Sequence, residues 1–143
     1  MITTRIAEPY DLSRLMAFDS FRVDRIAEIV ERRMLVAEIG DLVVGYLAWQ
    51  QGGCIGKDYV NKLVVDNGYR RRGIAQELVS ALNTVIGGRV FISTGSNNAA
   101  AVSLLESTGW THAGQIVGLL PMNESELFFY RDLWPAGASE GTA

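Results

Sequence analysis

The sequence predicts a single α/β domain in which an antiparallel set of strands leads into a strand–helix–strand unit. Three observations support this fold class. Between Tyr59 and Leu82, an apolar strand-like run breaks at Asn67-Gly68 and continues with the 3.6-residue period of a helix. Two apolar runs upstream are joined by the two-residue connection Gly40-Asp41, which suits a hairpin. A further apolar run follows Gly87-Gly88, so the helix should connect two parallel neighbouring strands.

Residues 1–53 are predicted to form one strand, two helices and a hairpin. The first helix carries Leu12, Leu15 and Met16 on one side. The second alternates apolar with charged residues, which is the amphipathic pattern. Gln51-Gly52-Gly53 is predicted to be a hinge. The other predicted elements are a strand at Ile2–Ala7, the second helix at Val23–Arg33, and strands at Met34–Ile39 and Leu42–Trp49.

The remaining elements follow from apolar runs and helix caps. The central strand is Lys62–Val65, and the helix after Gly73 should end at Gly87-Gly88, a pair of helix terminators. Ser96-Asn97-Asn98 can cap a later helix that closes at Gly109-Trp110. Further strands are predicted at Arg89–Thr94 and Glu126–Trp134, within a domain of residues 1–134, and residues 135–143 are expected to form a flexible tail.

Three consecutive arginines precede the central helix. The free N–H groups at a helix start point into the preceding loop, where the helix dipole also favours negative charge. Gly73 lets a ligand approach the backbone, and Ala75 keeps the next position small. Arg70, Arg71 and Arg72 can add charge-assisted hydrogen bonds. This stretch is therefore a predicted phosphate-binding loop.

Two motifs together resemble the GCN5-related N-acetyltransferase (GNAT) family. The first is Arg70-x-x-Gly73-x-Ala75 after an apolar strand, and the second runs from Asn98 through Leu104-Leu105 to Gly109-Trp110. The second motif is closest to that of the enzymes that acetylate ribosomal protein N-termini. The resemblance covers about residues 1–134 and implies the GNAT fold, a mixed, mostly antiparallel central sheet of about seven strands with helices on both faces.

The resemblance implies acetyl-CoA as the acyl donor and indicates where it would bind. Backbone groups of Leu63–Val65 should pair with the peptide-like amides of the pantetheine arm. Backbone amides of Arg71–Ala75 should hold the pyrophosphate, while Asn98 and Leu104 should line the other side of the arm. The implied cofactor-binding set is Leu63, Val64, Val65, Arg70, Arg71, Arg72, Gly73, Ile74, Ala75, Asn98 and Leu104.

At the catalytic positions this sequence departs from the family. In many members a tyrosine of the second motif protonates the leaving thiolate, and that position is Leu105, which cannot donate a proton. The ribosomal-protein acetyltransferases carry a glutamate five residues before the asparagine, where this chain has Ser93. Other members place the base on the central strand, at the position of Tyr59. Tyr59, Ser93 or Asp58 could instead hold a water that relays the proton.

Composition narrows the classes of partner. The formal net charge is −3, from 13 basic and 16 acidic residues, which disfavours a nucleic-acid binder. The one cysteine, Cys54, excludes an internal disulfide, and with the single His112 it cannot form a zinc site, so no metal is expected. The N-terminus shows no signal pattern, and no apolar run reaches the ~18 residues of a membrane span. We therefore expect a cytoplasmic protein that binds no membrane.

The favoured function is an N-acetyltransferase that moves the acetyl group of acetyl-CoA to a primary amine of a small molecule or peptide, by direct attack on the thioester. The alternative is a non-catalytic acyl-CoA-binding regulatory module, which the missing acid and base support. A nucleotide or nucleic-acid binder that uses the arginines is disfavoured by the acidic balance.

The sequence leaves the acceptor open. Asp19, Glu124 and Glu126 could attract an ammonium group, and in the resembled family the linker Phe18–Phe21 borders the acceptor site. The apolar run Leu127–Tyr130 could pair across a homodimer if it lay at a sheet edge.

Overall fold

A computed structural model describes residues 1–19 and 25–133 of the chain. Seven strands in these residues form one sheet, in the order β1-β2-β3-β4-β5-β7-β6. The strands are β1 (Ile2–Ile6), β2 (Met34–Ile39), β3 (Leu42–Cys54), β4 (Lys57–Val65), β5 (Gly88–Gly95), β6 (Thr111–Val117) and β7 (Ser125–Leu133). The helices are α1 (Leu12–Phe18), α2 (Ile26–Val30), α3 (Ile74–Ser80) and α4 (Ala99–Ser107), with 3-10 turns at Pro9–Asp11, Asn67–Tyr69 and Ala81–Thr84.

The sheet is mixed and mostly antiparallel, which confirms the predicted fold class. β1 pairs with β2 and β2 with β3 in antiparallel registers, as do β5 with β7 and β6 with β7. β4 and β5 are parallel, with Asp58 opposite Val90 and Val60 opposite Ile92. The predicted strand–helix–strand unit therefore has parallel end strands. None of the helices in the described residues is long and apolar enough to cross a membrane.

The chain divides into two compact units, the first made of Met1–Gln50 and Asn61–Leu82. On one face of its sheet, Tyr46 packs in a core with Leu15 of α1 and Ile29 of α2. Successive side chains of a strand point to opposite faces, so Gly45 lies on the other face. There a Cβ at Gly45 would meet Ile74 of α3 at 2.9 Å. Helices therefore cover both faces of this part of the sheet, as predicted.

The second unit consists of Gln51–Val60 and Asn83–Ala143, described here to Leu133. One face of its strands is buried, with Val90 and Phe129 at 0% and 1% exposure. Leu105 of α4, 2% exposed, also belongs to the buried interior. The opposite face carries Tyr59, Phe91, Ser93 and Phe128, all of which are partly buried.

The structure corrects several predicted boundaries. Gln51-Gly52-Gly53 is the end of β3 and not a hinge, and the turn lies at Ile55-Gly56, where both residues have positive φ. Hydrogen bonding within the hairpin outweighs the local preference of glycine for turns, and the Gly52 N–H also donates to Asp58 Oδ1 at 3.0 Å. The central helix ends at Ser80 and continues as a 3-10 turn at Ala81–Thr84.

Three further differences concern the other elements. The described part of the second helix is only Ile26–Val30, while Val23 and Asp24, the linker residues Ser20 and Phe21, and Trp134 lie outside the described residues. The pattern of the sequence did not predict β6, because six of its seven residues are exposed and no buried alternation marks it. β7 lies between β5 and β6, so Leu127–Tyr130 is not at an edge and cannot pair across a homodimer there.

Candidate active site

Asp66, which follows β4, stabilises the turn that precedes the predicted phosphate-binding loop, residues 70–73. Its Oδ1 accepts a hydrogen bond of 3.1 Å from the Gly68 N–H, and its Oδ2 lies 2.5 Å from Nη2 of Arg14. The Gly68 N–H, and after it the Arg14 guanidinium, hold the pKa of Asp66 below its ordinary value. The ionised carboxylate therefore fixes where the loop leaves the strand.

The loop itself exposes its backbone. Arg71 has φ 63° and Gly73 has φ 81°, so the chain is left-handed at two alternate residues, and residues 70–73 are all exposed. A Cβ at Gly73 would meet no atom within 4 Å. Arg72 places its guanidinium carbon 5.0 Å from the centre of the Tyr69 ring. Backbone amides in such alternating turns form concave sites for anions.

The start of α3 is anchored by the residue that follows the loop. Ile74 is 2% exposed and reaches the position where a Cβ of Gly45 would stand. The Val64 carbonyl oxygen and Leu78 surround the same point, at 3.1 and 3.4 Å. Because β3 has no side chain there, α3 approaches the sheet closely, and this contact sets where the loop ends.

Two sequence-predicted catalytic residues are brought together in the second unit. The Tyr59 hydroxyl lies 2.6 Å from Ser93 Oγ, and Ser93 Oγ donates to Glu126 Oε2 at 2.7 Å. Tyr59 is opposite Phe91 in the parallel β4–β5 register, so its side chain shares a face with that of Ser93, two residues further on. The three side chains form a continuous chain of hydrogen bonds.

The Tyr59 ring is also fixed by an aromatic contact. It stacks on Phe128 of β7, with ring centroids 6.2 Å apart and planes inclined by 25°. Offset stacking of this kind is a favourable arrangement of two rings. The Tyr59 hydroxyl is therefore positioned by two contacts, the stacking of its ring on Phe128 and the hydrogen bond to Ser93.

Glu126 is the site neighbour that the sequence did not identify as a partner of Ser93. It is opposite Gly95 in the antiparallel β5–β7 register, while Ser93 is opposite Phe128. Ser93 and Glu126 are thus diagonal neighbours on one face, which is within reach of their side chains. The carboxylate of Glu126 lies beside Ser93 because of the β5–β7 register. No short-range sequence motif predicts this contact.

The second motif has a capping function and a buried side chain. Asn98 Oδ1 accepts a hydrogen bond of 3.1 Å from the Ala101 N–H, so Asn98 caps α4 as predicted. Leu104 is partly buried, and its carbonyl oxygen accepts a bond of 2.7 Å from the Thr108 hydroxyl. Leu105 faces the interior of the unit and is 2% exposed. Leu105, which by resemblance stands where many GNAT members have a tyrosine, is therefore part of the hydrophobic core.

The other acidic candidates are engaged in structural contacts. Glu124 Oε2 accepts from the Asn97 N–H at 3.0 Å, and Asp58 accepts from Gly52 in the β3–β4 hairpin. The Asp19 side chain is 4% exposed and accepts a hydrogen bond from Tyr46. No group of three or more side chains suited to a metal ion occurs within residues 1–19 and 25–133.

Comparisons with known proteins locate this fold in one family. The family model described as an acetyltransferase (GNAT) domain matches residues 31–112. No curated protein matches the chain. A GNAT acetyltransferase from Bacillus cereus superposes with a TM-score of 0.84 at 21% identity, covering 92% of this chain and 97% of that one.

Two other solved structures give similar matches. The ribosomal-protein-S18-alanine N-acetyltransferase of Escherichia coli has a TM-score of 0.77 at 18% identity, covering 97% of this chain and 98% of that one. The yncA protein of Salmonella typhimurium, solved with its cofactor acetyl-CoA, has a TM-score of 0.77 at 18% identity and covers 98% of each chain. At these identities the structural likeness establishes the fold.

Proposed function

The chain belongs to the GNAT acetyltransferase family, whose model spans more than half of it, and on that premise we propose how it binds its donor and which acceptor it uses. The protein is an acetyl-CoA-dependent N-acetyltransferase. Its acceptor in this proposal is a primary amine of a small molecule or peptide, which attacks the thioester carbonyl directly.

We also propose that residues 1–134 act as one domain, because the family match includes segments of both compact units. In this proposal the protein works in the cytoplasm.

The proposed seat for the pyrophosphate is the loop from Arg70 to Ala75. The observation that carries the proposal is that the loop exposes its backbone at Gly73, while the next residue, Ile74, is buried in the core and fixes the position of the loop. The guanidinium groups of Arg70, Arg71 and Arg72 supply charge-assisted hydrogen bonds to the same anion.

The remaining donor contacts are proposed on the same family grounds. The backbone of Leu63–Val65, in the last part of β4, would pair with the amides of the pantetheine arm like an added strand. Asn98 and Leu104 would contact the arm from α4. The Asn98 side-chain oxygen is occupied by the cap of that helix, so its contribution would come from its remaining polar groups.

The catalytic proposal concerns Tyr59 and Ser93. The Tyr59 oxygen would accept a hydrogen bond from the incoming amine, and Ser93 would hold that hydroxyl through the contact of 2.6 Å. Leu105, being apolar and buried, would take no part in protonating the thiolate. A thiol of ordinary pKa ~8.5 is a tolerable leaving group as thiolate, and losing a general acid typically costs ~10²–10⁴ in rate, so activity is compatible with its absence.

Calorimetric titration with CoA tests the proposed pyrophosphate-binding loop. Gly73→Ala should lower CoA affinity at least tenfold, because the added methyl occupies the space through which the phosphate reaches the backbone. Gly40→Ala is the matched control, since Gly40 also has positive φ (61°) and open space around its Cβ, but lies in the β2–β3 turn. Both variants should lose similar stability, about 1 kcal/mol. Equal CoA affinity in the two variants would contradict the proposal that the loop at Gly73 binds the pyrophosphate.

Release of the CoA thiol with a panel of primary amines tests the catalytic assignment. The proposed enzyme releases thiol only when an accepted amine is present. A panel without turnover at pH 7 to 9, together with tight CoA binding, would favour the alternative of a non-catalytic acyl-CoA-binding module. Absent CoA binding would contradict both readings.

A further inference from the structure

We propose that Glu126 is the final proton acceptor for the amine, which it reaches through Ser93 and Tyr59. The inference rests on the proposed function and adds a positioning residue that takes up a proton without touching the substrate. Its basis is the unbroken line of hydrogen bonds from the Tyr59 hydroxyl to the Glu126 carboxylate.

The chemistry of the three groups gives this line a direction. An ionised carboxylate only accepts hydrogen bonds, so the proton between Ser93 and Glu126 belongs to the serine. A serine hydroxyl has one proton, so the bond of 2.6 Å to Tyr59 must be donated by the tyrosine. The Tyr59 oxygen then keeps lone pairs that can accept a further hydrogen bond. Every donor in the line points toward Glu126.

The surrounding strands hold the three groups in place. Each side chain stands on a different strand, β4, β5 or β7, and the paired registers set their spacing. The stack of Tyr59 on Phe128 restrains the ring whose oxygen would meet the amine. All three residues are partly buried, so the line is shielded while Glu126 retains access to water.

The proton and bond changes balance along this route. The ammonium proton passes to the Tyr59 oxygen, the Tyr59 proton to Ser93 Oγ, and the Ser93 proton to the Glu126 carboxylate. The neutral nitrogen attacks the thioester carbon, a C–N bond forms, and the C–S bond breaks. A second nitrogen proton passes to the departing thiolate. The products are the amide, the CoA thiol and one proton that Glu126 releases to water.

Two probe amines that carry the same benzyl group but differ in basicity distinguish this function from a structural one. Benzylamine is charged at pH 7.5 and must lose a proton before attack, whereas O-benzylhydroxylamine is already neutral. Glu126→Gln keeps a carbonyl oxygen for the Ser93 hydroxyl but takes up no proton. We expect it to lower kcat for benzylamine by ~10²–10⁴ and to change kcat for O-benzylhydroxylamine far less, with the KM for acetyl-CoA unchanged.

Ser93→Ala breaks the same line at its centre. It should cause the same selective loss of kcat for benzylamine. The double variant with Glu126→Gln should be no slower than the slower single variant, because both substitutions interrupt the same proton route. Glu106→Gln, at an exposed glutamate of α4, is the control and should leave the ratio of the two rates unchanged.

The outcomes separate the two proposals. If the wild-type protein acetylates the probes and Glu126→Gln slows both equally, the proton route is wrong and the proposed function stands. If the wild-type protein binds CoA but acetylates neither probe nor any amine of the panel, the proposed function fails and the route fails with it.

Discussion

The hydroxyl of Tyr46 donates a hydrogen bond of 2.5 Å to Oδ2 of Asp19, in the interior of the first unit. Tyr46 is fully buried, and Arg25 approaches Asp19 with its Nε at 3.4 Å. Burial, followed by the hydrogen bond to Asp19, raises the pKa of Tyr46 well above its ordinary value. The tyrosine therefore stays neutral and remains the donor at any physiological pH.

Tyr46→Phe should lower the free energy of unfolding by about 1–3 kcal/mol, because the buried carboxylate of Asp19 loses a donor while it stays buried. Urea unfolding measures the loss. Tyr10→Phe is the control, since Tyr10 is 73% exposed and its ring contact with Arg5 does not depend on the hydroxyl. Identical midpoints for the two variants would show that the bond contributes nothing.

Stability at acid pH should depend on Asp11. Burial by itself would raise the pKa of Asp11, but two hydrogen bonds from Arg5, at 2.8 and 2.9 Å, and one from the Glu8 N–H outweigh it and hold the pKa below its ordinary value. The other acid on Arg5 is Glu38, 2.9 Å from its Nε. The unfolded chain therefore binds more protons at Asp11 in acid. Its stabilising contribution is complete above pH ~4 and is lost as the pH falls through the folded-state pKa.

Asp11→Asn should be less stable than the wild-type protein by about 1–3 kcal/mol at pH 7, because Arg5 loses a charged partner. The difference should shrink as the pH falls below ~4, because the unfolded chain takes up a proton at Asp11 there and the folded carboxylate does so only at lower pH. Urea unfolding at several pH values from 3 to 7 tests this, with Asp41→Asn in an exposed turn as the control. A difference that is constant with pH would contradict the prediction.

Substitutions at Gly45 should disturb both stability and CoA binding. A Cβ there stands 2.9 Å from Ile74 Cγ2 and 3.1 Å from the Val64 carbonyl oxygen, so α3 must move. Gly45→Ala should destabilise the protein, and Gly45→Val should do so further, by about 1–3 kcal/mol. CoA affinity should fall in the same order because Ile74 sets the end of the loop. A valine variant that binds CoA like the wild-type protein would refute this coupling.

Leu105→Tyr should not restore a general acid. The side chain is 2% exposed, and a larger, polar ring there overpacks the core at a cost of about 1–3 kcal/mol. Leu105→Met, which conserves volume, should cost less than about 1.5 kcal/mol. Thermal unfolding and kcat test the two variants. A stable tyrosine variant with raised kcat would mean that this side chain reaches the thioester.

Arg72→Gln should weaken CoA binding about tenfold, because one charge-assisted hydrogen bond to the diphosphate is lost. The wild-type affinity should also fall with rising salt, and by a larger factor than in the variant. Arg32→Gln is the control, since the Arg32 side chain is 64% exposed and lies 4.0 Å from Glu8. Equal dissociation constants for the two variants would remove Arg72 from the site.

Much of the fold follows from patterns between residues close in sequence. The hairpin at Gly40-Asp41, the strand before Asn67, and the helix that Asn98 caps depend on turn and cap chemistry and on periodicity, all of which short segments contain. Where a segment lacks such a pattern, prediction failed, as for the exposed strand β6, or misplaced the turn, as at Gln51–Gly53.

The amino-acid sequence alone was sufficient to identify the fold class, to predict a phosphate-binding loop and to show that Tyr59 and Ser93 stand where other family members have a carboxylate. The folded chain was needed to show that Glu126 lies 2.7 Å from Ser93, although 33 residues separate them, and that Leu105 is buried. The physical reason is that a side chain's partners across a sheet depend on strand order and register. Those arise from the packing of the whole chain, and a shift of one residue would turn Glu126 to the opposite face.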